Sequence, residues 1–189
     1  MTRDAPRSTE DLLGPIMLSA ETIASKVKEL GQQITKDYQN HELLLVAILK
    51  GASIFASDLM RSIDLITEID FIAISSYGST TKTSGVVRIV KDLDSDLTDR
   101  DVLIVEDIVD SGLTLSYLKR NLLSRSPRSL EICSLLVKEE KQRTKINIRY
   151  IGFEIPDNFV VGYGLDIGQK YRNLPDIHKL IIPERENPH

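Results

Sequence analysis

No apolar run in the chain is longer than the seven residues Leu43 to Leu49, far short of the roughly 20 that a membrane-spanning helix needs. Cysteine is nearly absent. Cys133 stands alone, so no internal disulfide can form, and within Leu130–Val137 it reads as a small buried thiol. The three histidines, His41, His178 and His189, are scattered without the spacing of metal ligands, which argues against zinc. Excess positive charge is also lacking. The net charge is −4, whereas a protein that holds nucleic acid electrostatically is usually basic. Residues 1–15 have Arg3, Asp4, Arg7, Glu10 and Asp11 but no apolar stretch. They are no secretory signal and read as a flexible N-terminal extension. Neither a repeat nor a linker interrupts the rest. The remaining composition, 41% apolar and 28% charged in 189 residues, suits one domain around one core and a cytoplasmic enzyme.

Ile23, Val27, Leu30, Ile34 and Tyr38 recur at spacings of three and four, which predicts a helix over Ser19–Tyr38 capped by Ser19. Leu43–Leu49 is too short and too uniformly apolar for a surface helix, so it reads as a strand buried on both faces. Helical spacing returns over Ala52–Ile63. Further strands are expected at Ile69–Ser75, Val102–Val105, Leu130–Val137, Ile148–Phe153 and Phe159–Val161. A helix carrying Leu115, Leu118 and Leu122 should end before Pro127. Doubly buried strands alternating with helices predict an α/β fold, with a central, mostly parallel sheet flanked by helices. Gly78–Gly85 contains only Ser, Thr, Lys and Gly, the composition of a surface loop or a lid.

The stretch richest in chemistry begins at Val102. A buried strand leads directly into Glu106 and Asp107, and the turn Asp110-Ser111-Gly112-Leu113-Thr114 then opens a helix. Ligands of open parallel sheets sit beyond the carboxyl ends of the strands. The two carboxylates are therefore placed to meet hydroxyls or a metal ion. Gly112 allows close backbone approach, Ser111 and Thr114 offer hydroxyls, and the helix start offers amides, which together make an anion cradle. Taken singly, each piece is equally a solvated carboxylate or an N-cap. Their concentration at one strand-to-helix junction is what points to a site.

Val105–Leu115 resembles the phosphoribosyl pyrophosphate signature of the type I phosphoribosyltransferases, and its surroundings are similar to those of the hypoxanthine-guanine members. The resemblance runs from about residue 16 to residue 177. Leu49-Lys50-Gly51 matches the family's pyrophosphate loop, which can hold a cis peptide that would here be Leu49–Lys50. Ser75-Ser76-Tyr77-Gly78 matches the start of its lid, placing a lid loop at about 76–85. Lys138 matches its purine-reading lysine, and Gly152–Asp157 with Phe159–Asp166 and Arg172 matches its C-terminal purine and metal region. Alone, Lys138 would read as a solvated charge, Phe159 as core and Arg172 as a surface ion-pair partner.

The resemblance implies the following roles. Asp110 is the general base or acid. Lys50, Gly51, Ser76, Tyr77, Glu106, Asp107, Asp110, Ser111, Gly112, Leu113, Thr114 and Arg172 bind phosphoribosyl pyrophosphate. Lys138, Phe159, Val160 and Asp166 bind a 6-oxopurine, and Glu106, Asp107 and Asp166 hold Mg²⁺. It further implies a small hood made by the terminal segments and assembly as a homodimer or homotetramer, with neither nucleic acid nor membrane as partner. Glu139 and Glu140 after Lys138 are more acidic than the family pattern and leave the choice among hypoxanthine, guanine and xanthine open. Three other motifs fail on spacing. Gly162-x-Gly164 lacks the third glycine of a dinucleotide turn in register. Asp92, Asp94 and Asp96 precede Leu97 and Leu103 where a calcium loop needs glycine and glutamate. Lys82-Thr83 lacks the glycine of a nucleotide P-loop. A regulator that keeps this fold but binds nucleic acid would need a basic face or an added DNA-binding domain; the net acidity counts against the first, the length against the second, and the retained Asp110 and Lys138 against a mere sensor.

Overall fold

The computed structural model describes residues 12–76, 87–138 and 146–181. Six strands form the main sheet in the order β4-β3-β2-β5-β6-β7. They are β2 (Leu43–Leu49), β3 (Thr67–Ser76), β4 (Val87–Lys91), β5 (Asp101–Val109), β6 (Ser129–Val137) and β7 (Tyr150–Glu154). All pair in parallel except β4, which runs antiparallel to β3 at one edge. A parallel sheet must be covered on both faces, and this one is. Helices α1 (Ala20–Asp37) and α2 (Ser53–Ser62) bury Ile23, Val27, Leu30, Phe55 and Leu59 against Leu43, Leu45, Leu103 and Val105. On the other face α3 (Leu113–Leu123) buries Leu115, Leu118 and Leu122 against Leu44, Val46, Val102 and Ile104. Alternation along β2 thus sends neighbouring side chains into two separate cores.

The helix predicted from the Ile23–Tyr38 spacing ends within a residue of expectation at each side. Its start is held by Ser19 Oγ, which accepts from the Thr22 amide at 3.3 Å. Cys133 is fully buried, and burial pushes its thiol pKa far up. No described helix is long and apolar enough to cross a membrane.

Three strands were not predicted: β4 at the edge of the main sheet, and two that form a second sheet. β1 (Leu13–Leu18) and β9 (Ile177–Leu180) pair antiparallel, and β8 (Val160–Val161) pairs with β9, making a separate sheet β1-β9-β8. This is the hood implied by the family resemblance. It corrects two expectations. Residues 13–15 are strand, not frayed extension, while residues 1–11 lie outside the described residues. The segment expected at Phe159–Val161 belongs to the hood, not to the parallel sheet.

Candidate active site

The carboxyl ends of β2, β5, β6 and β7 converge on one rim. There an open cleft of about 260 Å³ is lined by Ile48, Ile74, Glu106, Asp107 and the turn Asp110–Gly112. β5 continues to Val109, further than Val102–Val105, so Glu106 and Asp107 lie within its last turns of pleat and not beyond its end. Pairing explains the extension: Glu106 lies opposite Ser134 and Val109 opposite Val137 on β6. In a regular strand, alternation would send the two carboxylates to opposite faces, yet both line the cleft and lie within hydrogen-bonding reach of each other. Glu106 is half-buried, and burial together with the neighbouring Asp107 charge raises its pKa well above the usual carboxylate range.

Asp107 faces the loop after β2. The Leu49–Lys50 peptide bond is cis, and the chain then passes Gly51. A Cβ at Gly51 would overlap the Asp107 carboxylate, and one at Gly164 would overlap the Gly51 carbonyl. Three backbone segments therefore meet at a distance that side chains on these two residues would forbid. Asp110 follows β5 with its side chain half exposed. Gly112 has φ +74°, left-handed backbone suited to glycine, and no side chain caps the start of α3. The start of α3 is thus left without a side-chain cap, with Ser111 and Thr114 on the cleft.

Lys138 is buried at the end of β6, 5% exposed, which rules out a solvated strand-end charge. Its amide donates to the Val109 carbonyl at 2.9 Å, so the ends of β5 and β6 are tied together. Its ammonium donates to Asp157 Oδ1 at 3.2 Å, lies 4.0 Å from Asp110 Oδ2 and sits 5.6 Å from the centre of the Phe159 ring. Phe159 is 62% exposed, an uncovered aromatic face beside a buried cation. The Val160 side chain belongs to the buried core shared with α1 and α2, so only its backbone, next to Phe159, is open to the cleft side.

Arg172 reaches back over the same rim. Its Nη1 donates to the Gly164 carbonyl at 2.7 Å, and its Nη2 pairs with Asp166 Oδ1 at 2.7 Å. Asp166 Oδ2 accepts from the Gln169 amide at 2.7 Å. Among the described residues no three Asp, Glu, His or Cys side chains converge as metal ligands. Glu106 with Asp107 and Asp166 with Arg172 are therefore two separate acidic sites. Tyr77 and the expected lid lie outside the described residues, and Ser76 is placed only as the last residue of β3. Sequence reasoning missed Asp157 and Gln169. Asp157 lies inside a matched motif, but only the fold brings it to Lys138.

Residues 17–167 match the family model described as phosphoribosyl transferase domain. The hypoxanthine-guanine phosphoribosyltransferase of Mycobacterium tuberculosis strain H37Rv is 54% identical over 171 residues, covering 87% of this chain and 85% of that one. The hypoxanthine phosphoribosyltransferase of Escherichia coli K12 is 46% identical over 169 residues, covering 88% and 95%. A crystal structure of a hypoxanthine phosphoribosyltransferase from Staphylococcus aureus superposes with a TM-score of 0.88 at 46% identity, covering 95% and 97%. A cleft at the carboxyl rim of this sheet, an uncapped helix start and a buried lysine beside an open aromatic face agree with that kinship, and the chain belongs to the phosphoribosyltransferase family, as an enzyme of its hypoxanthine-guanine phosphoribosyltransferase group.

Proposed function

We propose that the chain transfers the phosphoribosyl group of phosphoribosyl pyrophosphate to hypoxanthine or guanine, releasing pyrophosphate and forming inosine or guanosine monophosphate for purine salvage in the cytoplasm. One observation carries the reading. Asp110, Lys138 and Phe159 lie together beside the anion-type turn, so one purine could stack on Phe159, accept from Lys138 and exchange a proton with Asp110. The 5′-phosphate then takes the turn Asp110–Thr114 and the start of α3, where amides and two hydroxyls suit an anion. Pyrophosphate takes the side bounded by Lys50, Gly51 and Arg172. The planar fork of Arg172 suits such a polyanion.

Glu106 and Asp107 fit a magnesium ion and the ribose hydroxyls. They are hard oxygen donors, and a cation would offset both the burial and the Asp107 repulsion that raise the pKa of Glu106. Magnesium, when bound, supplies neutralising charge to the departing pyrophosphate. Asp166 has lone pairs beyond its bonds to Arg172 and Gln169, and through these it would hold a second ion.

A pyrophosphate-release assay with hypoxanthine, guanine, xanthine and adenine tests the reading. Release is expected with hypoxanthine or guanine, and none in excess chelator. Undiminished release in chelator would remove the metal, and release with adenine alone would overturn the purine assignment. The crowding at Gly51 gives a further test. Gly51→Ala should push Asp107 aside and lower kcat/KM for phosphoribosyl pyrophosphate by about 10²-fold, the order expected for a displacement near 1 Å. Wild-type kcat/KM in this variant would show that the placement of Asp107 does not matter.

A further inference from the structure

Lys50 and Arg172 come from loops 122 residues apart, yet one side chain touches both. The Gln169 amide oxygen accepts from Lys50 Nζ at 3.1 Å and from Arg172 Nη2 at 3.2 Å. Among the described residues Lys50 has no other side-chain hydrogen bond, and Arg172 Nε has no partner at all. The orientation of Arg172 therefore rests on Gly164, Asp166 and Gln169, and that of Lys50 on Gln169 alone.

The backbone at Gln169 is unusual in the same place. Ile167 and Lys170 exchange both backbone hydrogen bonds across a two-residue turn. Both central residues have positive φ, +58° at Gly168 and +70° at Gln169. Such turns favour glycine, asparagine or aspartate at these positions. Glutamine, a poor choice for left-handed backbone, stands where its side chain spans two cations. Disfavoured backbone kept at a cleft is a pointer to use.

We propose that Gln169 is a positioning residue for pyrophosphate, holding the ammonium of Lys50 and the guanidinium of Arg172 side by side before the ligand arrives. This rests on the reading of Lys50 and Arg172 as the pyrophosphate-binding cations. Two mutually repelling cations would otherwise spread apart. A neutral acceptor shared between them keeps them close without cancelling the charge the polyanion needs, as a glutamate would do.

Gln169→Gly separates this role from a structural one, because glycine relieves the left-handed backbone while deleting the bridge. The variant should keep or raise its Tm, and bind pyrophosphate with magnesium about 2- to 10-fold more weakly by calorimetry, the scale of one exposed hydrogen bond. KM for phosphoribosyl pyrophosphate should rise similarly, while KM for hypoxanthine stays unchanged. Lys50→Ala and Arg172→Ala should also weaken pyrophosphate, and Gln169→Gly should add little in the double Lys50→Ala/Arg172→Ala background. If those two single variants weaken pyrophosphate but Gln169→Gly does not, the positioning role is wrong and the pyrophosphate assignment stands. If neither cation variant changes pyrophosphate binding, both fall. An equal effect of Gln169→Gly with and without the two cations also overturns the proposal.

Discussion

Asp110→Asn is expected to lower kcat by about 10²–10⁴-fold, the usual contribution of a positioned general base, with KM for phosphoribosyl pyrophosphate held within a few-fold. Asparagine keeps the size of the side chain and the turn into Gly112, so the backbone at the start of α3 is undisturbed. It cannot accept a proton. The charge it removes lies 4.0 Å from Lys138 Nζ, but Asp157 remains at 3.2 Å and keeps that ammonium paired and in place. Loss of rate therefore reports proton transfer and not collapse of the purine wall. Steady-state kinetics in both directions check it. An unchanged kcat with a raised KM would move Asp110 from the chemistry to binding.

Lys138→Gln is expected to cut oxopurine kcat/KM sharply and to narrow the discrimination against adenine, which should approach 10⁴-fold in the wild type on the scale of sites built to hydrogen-bond a substrate group. An ammonium has three donors and no acceptor. A 6-oxopurine presents a carbonyl oxygen to it, whereas adenine presents an amino group, so donor would face donor. At 5% exposure the ammonium has little water to fall back on, and an unpartnered donor there is costly. Glutamine offers a donor and an acceptor and should accept either base poorly. kcat/KM for hypoxanthine and adenine in both proteins decides the matter. Changes of only a few-fold would show that Lys138 does not read the base.

The ease of reading each element from sequence followed its physics. α1 and β2 were plain because a long helical period and an unbroken apolar run each leave one solution. β1 was hidden because Gly14 and Pro15 are poor strand formers. β9 has only four residues, Ile177–Leu180, and acquires its identity from partners far away in sequence. β4, only five residues long, was passed over because the polar run before it read as a loop or lid and not as a hairpin connection. β5 was cut short at Val105 because carboxylates look like a strand end, yet pairing with β6 carries the strand past them. In the site, the local motifs around Lys50, Glu106 and Asp110 were legible through family resemblance. Asp157 and Gln169 were not, since a glutamine in a turn and an aspartate after a proline carry no signal until tertiary contact supplies the cation. Val160 was assigned to the purine by the family resemblance, and its side chain packs in the core.

The hood also sets an order on biosynthesis. β1 leaves the ribosome first, but its partner β9 follows some 160 residues later, with Leu13 opposite Leu180 and Leu18 opposite Ile177. The Phe159 carbonyl accepts from the Leu180 amide at 2.8 Å, so the aromatic wall is pinned by the same late strand. The nascent chain can pair β2, β3, β5, β6 and β7 and close the two helical faces before β9 emerges, since domains gather structure as synthesis proceeds. Contacts this distant in sequence close slowly. The turn Asp110–Gly112 is thus in place early in the life of each molecule, and Phe159 is set last.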